Sequence, residues 1–338
     1  MKLLIIGGTQ FVGRAMAQEA LSRGHELTLF NRGKTGGDLF PEAEKLVGDR
    51  DGGLDVLTGR QWDAVIDTCG YFPRLAKDSA EKLKDSVQAY CFVSTISVYG
   101  DTSEPSIVEA SPMNRELEDP ATEEITGETY GTLKALCEDA VTDDFPINHL
   151  IIRPGLVTGP NDPTNRFGYW PARFAKGGDV LIPGSRDREL QHIDTRDLAA
   201  FTIHCLETGT MGDFNATGPD RVQTMQDLVT ACQEAAGSAS NPIFVEEAFL
   251  LENEVQPWVE LPFWIPTTMD IGGGFFKFNT QKAVDAGLTF RPLLETVTDA
   301  LAYENKRAEA EDFHNWSMCL SPDKERDLLT KWQDQAVN

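Results

Sequence analysis

Along the first 160 residues, short β-branched apolar runs alternate with longer stretches in which apolar positions return every three to four residues. The runs are "KLLIIG", "ELTLFN", "KLVGD", "DAVIDT", "AYCFVST" and "HLIIRPG". Alternation of this kind predicts βαβ units joined into a mainly parallel sheet. Between the first two runs, Val12, Ala15, Met16, Ala20 and Leu21 fall near one helical face, and Gly24 stands where a helix would stop. A helix over residues 11–23 follows. From 99 to 129 the chain is polar and rich in Glu, Pro and Ser, which reads as one long loop, and such loops are commonly functional or mobile.

After Gly159 the pattern loosens into Pro, Gly and aromatics, then "HIDTRDLAAFTIHCLE" reads as strand plus helix. The expected architecture is α/β: a Rossmann-like doubly wound parallel sheet with a smaller C-terminal α/β substrate lobe. Residues 1–160 form the nucleotide-binding domain, with roughly 190–220 returning to it, and 161–189 with 221–338 form mainly the lobe and tail. In the tail, "LSPDKERDLLTKW" predicts an amphipathic helix with Pro322 near its start and Leu328, Leu329 and Trp332 on its apolar side.

Charge narrows the choice of partner. The 338 residues carry 54 acidic against 30 basic side chains, a net charge of -24, so the average surface repels polyanions and nucleic acid is not the expected partner. Six cysteines without CxxC spacing suggest neither zinc nor a disulfide framework and fit a reducing cytoplasm. No signal peptide is read at the N-terminus. No apolar stretch approaches the roughly 20 residues that span a bilayer, so a membrane is not expected either. A homodimer is one candidate assembly.

The candidate chemistry begins at "GGTQFVGR", which follows the first strand and opens the first helix. Glycines there allow a tight turn, and a helix N-terminus receives a pyrophosphate through free N–H groups and its positive dipole end. Gly7, Thr9, Gln10, Phe11, Val12 and Gly13 are the candidate contacts. Gln10 occupies the position of the middle glycine of the dinucleotide fingerprint, a variation in turn geometry rather than a loss of binding. The second strand ends in Asn31 and Arg32 where NAD-binding proteins place an acidic residue for the ribose. An arginine there pairs with a 2'-phosphate, so NADP is favoured over NAD. Asp49 in "VGDRD" is read equally as an acceptor for the adenine amino group or as a local cap.

"STISVYG" and "YGTLK" complete the set. Tyr130 and Lys134 are four apart and share a helical face. An ammonium beside the phenol is expected to lower the Tyr130 pKa and prepare it as a general acid/base. In the second lobe, "DPTNRFGYW" groups Asp162, Arg166, Tyr169 and Trp170, "ELPFWIP" adds Trp264, and His192 follows a strand. Aromatics beside an arginine suit a ring with an anionic group, and the competing reading makes these aromatics the core of the lobe.

In the order "GGTQFVG", "VSTISVYG", "YGTLKALCE", "IIRPGLVTGP", "QHIDTRDLA", the chain resembles the extended short-chain dehydrogenase/reductase family in its NAD(P)-dependent epimerase/dehydratase branch. The resemblance implies that Thr95, Tyr130 and Lys134 are the catalytic set and that Cys69, Gly70 and Ser94 line the cofactor or substrate. It also implies that the turn Arg153, Pro154, Gly155 passes near the nicotinamide. Tyr71 and Ser97 join Arg166, Tyr169, Trp170 and His192 as substrate-side candidates. Three departures mark an atypical branch: Gln10, "DTCGY" at 67–71, and the long loop before Tyr130. "GGTxFVGR" and "FNRG" look more like a subgroup that includes chloroplast stem-loop RNA-binding proteins. No metal site is expected. The expected function is an NAD(P)-dependent oxidoreductase or epimerase acting on a carbinol or carbonyl of a nucleotide sugar or small cyclic molecule. The alternative is a cofactor-binding regulatory or RNA-binding protein of the same fold without turnover.

Overall fold

The computed structural model describes residues 1–103, 105–269, 274, 276–309 and 319–337, with side chains as far as 335. Six strands carry the early apolar runs: β1 (Lys2–Ile6), β2 (Glu26–Asn31), β3 (Glu44–Val47), β4 (Trp62–Asp67), β5 (Val87–Val93) and β6 (His149–Pro154). Short strands β7 (Val157–Thr158), β8 (Gly178–Pro183), β9 (Glu189–Leu190) and β10 (Ile193–Asp194) follow. The last three are β11 (Gly212–Ala216), β12 (Gln223–Thr224) and β13 (Ser240–Val245). The first six helices are α1 (Phe11–Ser22), α2 (Pro73–Leu83), α3 (Tyr130–Asp144), the short α4 (Tyr169–Ala175), α5 (Thr195–Thr208) and α6 (Met225–Ala236). Beyond them lie α7 (Glu247–Glu252), α8 (Gln281–Asp285), α9 (Leu293–Glu309) and α10 (Pro322–Val337).

The central sheet has seven strands in the order β11-β6-β5-β4-β1-β2-β3, every pairing parallel. Its interior strands are apolar on both faces because helices cover both, the pattern that parallel sheets require. In β1 the alternation is visible residue by residue. Leu3 and Ile5 pack with Met16, Ala17 and Ala20 of α1 and Leu198 and Phe201 of α5. Leu4 and Ile6 pack with Ala76 and Ala80 of α2 and Cys137 and Val141 of α3. Helix α1 matches its predicted face, with Met16 and Ala20 fully buried and Val12, Ala15 and Leu21 packed at the margin. After α5 the chain re-enters the sheet as β11 beside β6.

A separate core gathers α4, α6 and the parallel pair β8 and β13 around Trp170, Phe174 and Trp264, and α10 closes it with Leu328 and Leu329. Phe249 meets Trp332 of that tail helix edge-on at 5.0 Å.

The strand order reverses between β1 and β4, and ligands in such sheets lie outside the carboxyl ends of the strands at that reversal. Two buried ion networks brace this edge, and neither is visible in the hydrophobic pattern. Arg50 grips Asp67 through two bonds of 3.0 and 2.8 Å, and Tyr90 donates to the same carboxylate at 3.0 Å. The Cys69 N–H donates to Asp67 at 3.1 Å, which ties the β4 end to the turn that follows. Arg153 joins Glu138 of α3 to Asp213 of β11. A buried pair adds little net stability but is costly to break on one side. Replacing Asp67 by Ala, which strands the Arg50 guanidinium, should therefore cost about 3–5 kcal/mol in urea unfolding, against about 1 kcal/mol for Tyr90→Phe. Equal losses in the two variants would show that the ion pair does not hold this edge.

Candidate active site

The glycine turn leads from β1 into α1. Gly13 lies where α1 crosses the turn, and a Cβ on it would come within 2.8 Å of the Gly8 nitrogen. Gln10 caps the helix in an extended conformation, φ -129 and ψ 143, that any L residue adopts, and its side chain is exposed. The missing middle glycine therefore costs the turn nothing. Thr9 is within hydrogen-bond distance of Thr35, 3.1 Å hydroxyl to hydroxyl. Val12 packs toward the core, so only its backbone can face a ligand. Phe11 opens the helix at φ 32.

Asn31 turns out to be a brace. Its amide donates to the Gly7 carbonyl at 3.1 Å and its oxygen accepts from the Gly33 N–H at 2.8 Å, so β2 is pinned to the glycine turn. Arg32 is left exposed beside it, as is Lys34, while Arg14 is half-buried, and none of the three pairs with a carboxylate among the described residues. Asp49 accepts from the Asp51 N–H at 3.1 Å, the local-turn alternative for that residue.

Lys134 sits 3% exposed on α3. Its ammonium donates to the carbonyls of Gly70 and Val93, each at 2.7 Å, and stands 4.1 Å from the centre of the Phe92 ring. Among the described residues no carboxylate pairs with it. An ammonium has three donors, so one N–H remains for a ligand. Burial pushes its pKa down to about 8, and nearby charges oppose the shift only in part. Cys69 is half-buried with its thiol pushed up to about 11 by burial, so it is not a nucleophile at neutral pH.

Tyr130 opens α3. Gly131 lets the helix start pass so close to the 94–98 segment that a Cβ there would collide with the Ser97 carbonyl. This brings Thr95 to the Tyr130 phenol. Thr95 also donates to the Ser97 hydroxyl at 3.2 Å and accepts from the Ser97 N–H at 3.2 Å, which fixes its rotamer. The expected effect of Lys134 on Tyr130 is corrected here. Burial raises the phenol above its ordinary value, the Thr95 hydroxyl and the charge of Arg166 pull it back in part, and Lys134 points elsewhere. Sequence spacing put ammonium and phenol on one face but could not show that backbone carbonyls would claim the ammonium. Tyr71, 43% exposed, flanks the same cleft: Lys134 lies 5.5 Å from its ring, and its phenol pKa is raised by burial and by Tyr130.

Ser94 carries a buried hydroxyl without a hydrogen-bond partner at the β5 end. Pro154 is buried at the end of β6 opposite Ala216, and Arg153 turns away into the Glu138 network instead of toward the cleft. Tyr169 and Trp170 are core residues, 1% and 0% exposed, rather than substrate contacts, and Trp170 donates to the Pro262 carbonyl at 3.2 Å. Trp264 shares that core. His192 is likewise structural: it lies between the Phe167 and Phe263 rings, 3.0 Å from the Thr158 hydroxyl, and burial drives its pKa down to about 4. Arg166 is half-buried, its guanidinium 5.6 Å from the centre of the Trp258 ring.

Residues 74–216 match the NAD dependent epimerase/dehydratase family. Over that span the chain is similar to the family that its motifs suggest. It is 25% identical over 255 residues to the chloroplast stem-loop binding protein of 41 kDa b from Arabidopsis thaliana, a match covering 70% of this chain. The chain spans 63% of that relative, less than two thirds of its length. It is 26% identical over 263 residues to the bovine epimerase family protein SDR39U1, covering 72% of this chain and 83% of the relative. In fold it is similar to the Bordetella bronchiseptica enzyme WbmH, solved with NAD+, with a TM-score of 0.67 and 17% identity over 90% of this chain and 98% of that one.

The depressed Lys134 pKa has a sign that can be checked. Between about 8 and 10.5 the unfolded chain binds the proton more tightly than the folded one, so the penalty for burying the ammonium is present below pH 8 and relieved as pH rises. Relative to Lys134→Met, the native protein should gain stability from pH 7.5 to 10.5, by at most about 3 kcal/mol. Urea unfolding across that range reads the difference, and a gap that does not change with pH would show that Lys134 is not held as a strained cation.

Proposed function

We propose that the chain is an NAD(P)-dependent epimerase or reductase working at a carbinol or carbonyl carbon of a nucleotide sugar or small cyclic molecule, in the reducing cytoplasm. The observation that carries this reading is Lys134: a buried ammonium with no carboxylate partner among the described residues, held by two carbonyls at the carboxyl edge of the sheet with one N–H to spare. A fold gains no stability from such a group, so its retention points to a ligand.

The residues present fit a dinucleotide. The α1 N-terminus offers its first N–H groups to a pyrophosphate across a turn that Gly13 keeps tight. The free N–H of Lys134 suits a ribose hydroxyl. Arg32, with Lys34 and Arg14, suits a 2'-phosphate, which favours NADP. NAD(P), when bound, supplies a reversible hydride acceptor. Thr95 orients the substrate oxygen, and Tyr130 carries the hydroxyl proton. With its pKa raised by burial, the phenol holds its proton in the free protein and is set to donate it to a carbonyl oxygen. The second core, residues 161–189 and from 221 on, serves as the substrate side of the cleft.

The name of the Arabidopsis relative favours stem-loop RNA binding as a second reading. A net charge of -24 opposes it, because each phosphate contact needs a cation to release its counterion. A gel shift with a stem-loop RNA at low salt tests it directly.

Incubating the purified protein with NADH, NADPH and a panel of nucleotide sugars and small carbonyls tests the main reading. Tyr130→Phe should abolish turnover and leave cofactor affinity within a few-fold, and an active variant would remove Tyr130 from the chemistry. Arg32→Ala should weaken NADPH more than NADH in a fluorescence titration. Equal losses for the two would count against the NADP preference.

A further inference from the structure

The long polar stretch that leads from the Thr95 segment to Tyr130 is held very differently in its two halves. The first half is stitched down by backbone bonds. The Gly100 N–H donates to the Pro112 carbonyl at 3.2 Å and the Asn114 N–H to the Val98 carbonyl at 2.9 Å. The Ser106 N–H donates to the Lys277 carbonyl at 2.7 Å, and the Asn279 N–H to the Ile107 carbonyl at 2.9 Å. Arg115 then fastens the chain to Asp139 of α3 by two bonds of 2.7 and 2.9 Å.

Residues 116–123 have no such stitching. Among the described residues, their one hydrogen bond or ion pair to a part of the chain beyond their own flanks joins Glu123 to Arg74, at 3.1 Å. None of their side chains joins a hydrophobic core. A compact turn follows, in which the Thr129 hydroxyl donates to the Glu124 carbonyl at 2.6 Å and the Tyr130 N–H to the Thr126 carbonyl at 3.1 Å, and it leads into α3. Arg74 stands in the first turn of α2 and also grips Asp51, beyond the end of β3, at 2.8 and 3.2 Å. It lies four residues past Gly70, whose carbonyl holds the Lys134 ammonium, and three past Tyr71, whose ring is 5.5 Å from that ammonium. Residues 116–123 therefore run from the Tyr130 end of α3 to the start of α2, along the rim of the space bordered by Tyr71, Lys134 and Tyr130.

A tie of this kind is weak by construction. Arg74, Asp51 and Glu123 are 49, 58 and 44% exposed, and ion pairs between exposed side chains stabilise little and are screened by salt. Between 116 and 128 the chain also carries Glu116, Glu118, Asp119, Glu123, Glu124 and Glu128 and no basic residue, so these like charges repel one another and Arg74 is the cation that offsets them. A segment with no buried apolar contact and one screened pair opens at small cost. The geometry points to a flap: residues 116–123 swing between the Arg115 fastening and the Thr126–Thr129 turn, the Arg74–Glu123 pair latches them shut, and opening lets the dinucleotide enter and leave the cleft. The flap rests on the reading that the cleft binds NAD(P). A gate crossed in both directions changes the rates of binding and release together and leaves the affinity where it was.

Two measurements on the full chain test this. The first is timed cleavage by a glutamate-specific protease, read by mass at Glu118 and Glu124. In 0.05 M NaCl, Arg74→Ala and Glu123→Gln should each be cut about two- to fivefold faster than the native protein, the range that one exposed pair allows. In 1 M NaCl, where the Debye length falls to about 3 Å, the native protein should be cut as fast as the variants. The second is stopped-flow fluorescence with NADPH at low salt. Both variants should bind and release it about two- to fivefold faster, with Kd within twofold of native. Cleavage alike in native and variant proteins would remove the latch and leave the cofactor reading standing. Faster cleavage with unchanged NADPH rates would show a loose loop that gates nothing. A Kd weakened by Arg74→Ala and not by Glu123→Gln would make Arg74 a direct cofactor contact and overturn the latch. If the native protein does not bind NADPH, the gate falls together with the cofactor reading.

Discussion

A cation sealed into the molecule without a carboxylate of its own sets the terms for the rest of the cleft. Lys134 can keep its charge only because two carbonyls and an aromatic face surround it, and both carbonyls belong to strand ends that must be placed to within a few tenths of an ångström. Val93 is fixed by the sheet. Gly70 is fixed less directly: Arg50 holds Asp67, Asp67 holds the Cys69 N–H, and the next residue presents its carbonyl to the ammonium. The buried ion pair under β4 is thus a foundation for the lysine, and its weak net stabilisation matters less than the geometry it imposes.

The frame of the molecule was legible because hydrophobic periodicity reports which faces are covered. The six early runs became six parallel strands, and the tail helix after Pro322 buried the leucines expected of it. Lys134 and Tyr130 were legible through spacing and order. Arg50 and Asp67 were not, because two charged residues 17 positions apart leave no periodic trace, and burial of a guanidinium is settled only when the strands meet. Asn31 shows the same limit. Its position at the end of β2 suggested a cofactor contact, but the amide bonds backbone on both sides, and the closeness of the glycine turn makes it a brace.

Tyr169, Trp170 and His192 went the other way. Sequence places aromatics near an arginine without saying which way each helical face turns. The short helix α4 buries Tyr169 and Trp170 together at 5.0 Å, which fills a core instead of lining a cleft. Arg166, three residues before Tyr169, lies outside that helix and is half-buried against the Trp258 ring. One segment thus divides into a packing half and a charged half at the point where the helix begins.

The charge of the whole chain and the charge of its cleft have opposite senses. Among 54 acidic residues, several buried ones are spent on partners: Asp67 on Arg50, Glu138 on Arg153, Glu304 on Arg307. Lys134, Arg166, Arg32 and Arg14 have no carboxylate partner among the described residues, and Lys134 and Arg32 lie on the carboxyl-end side of the sheet. Within a Debye length of about 8 Å these local cations outweigh a diffuse surface charge. An acidic exterior that turns polyanions away and a cleft that holds small anions are compatible, because the short screening length separates the two scales. Gln10 fits the same economy: its backbone serves the helix N-terminus in an ordinary extended conformation, and its neutral side chain adds no negative charge at the start of α1.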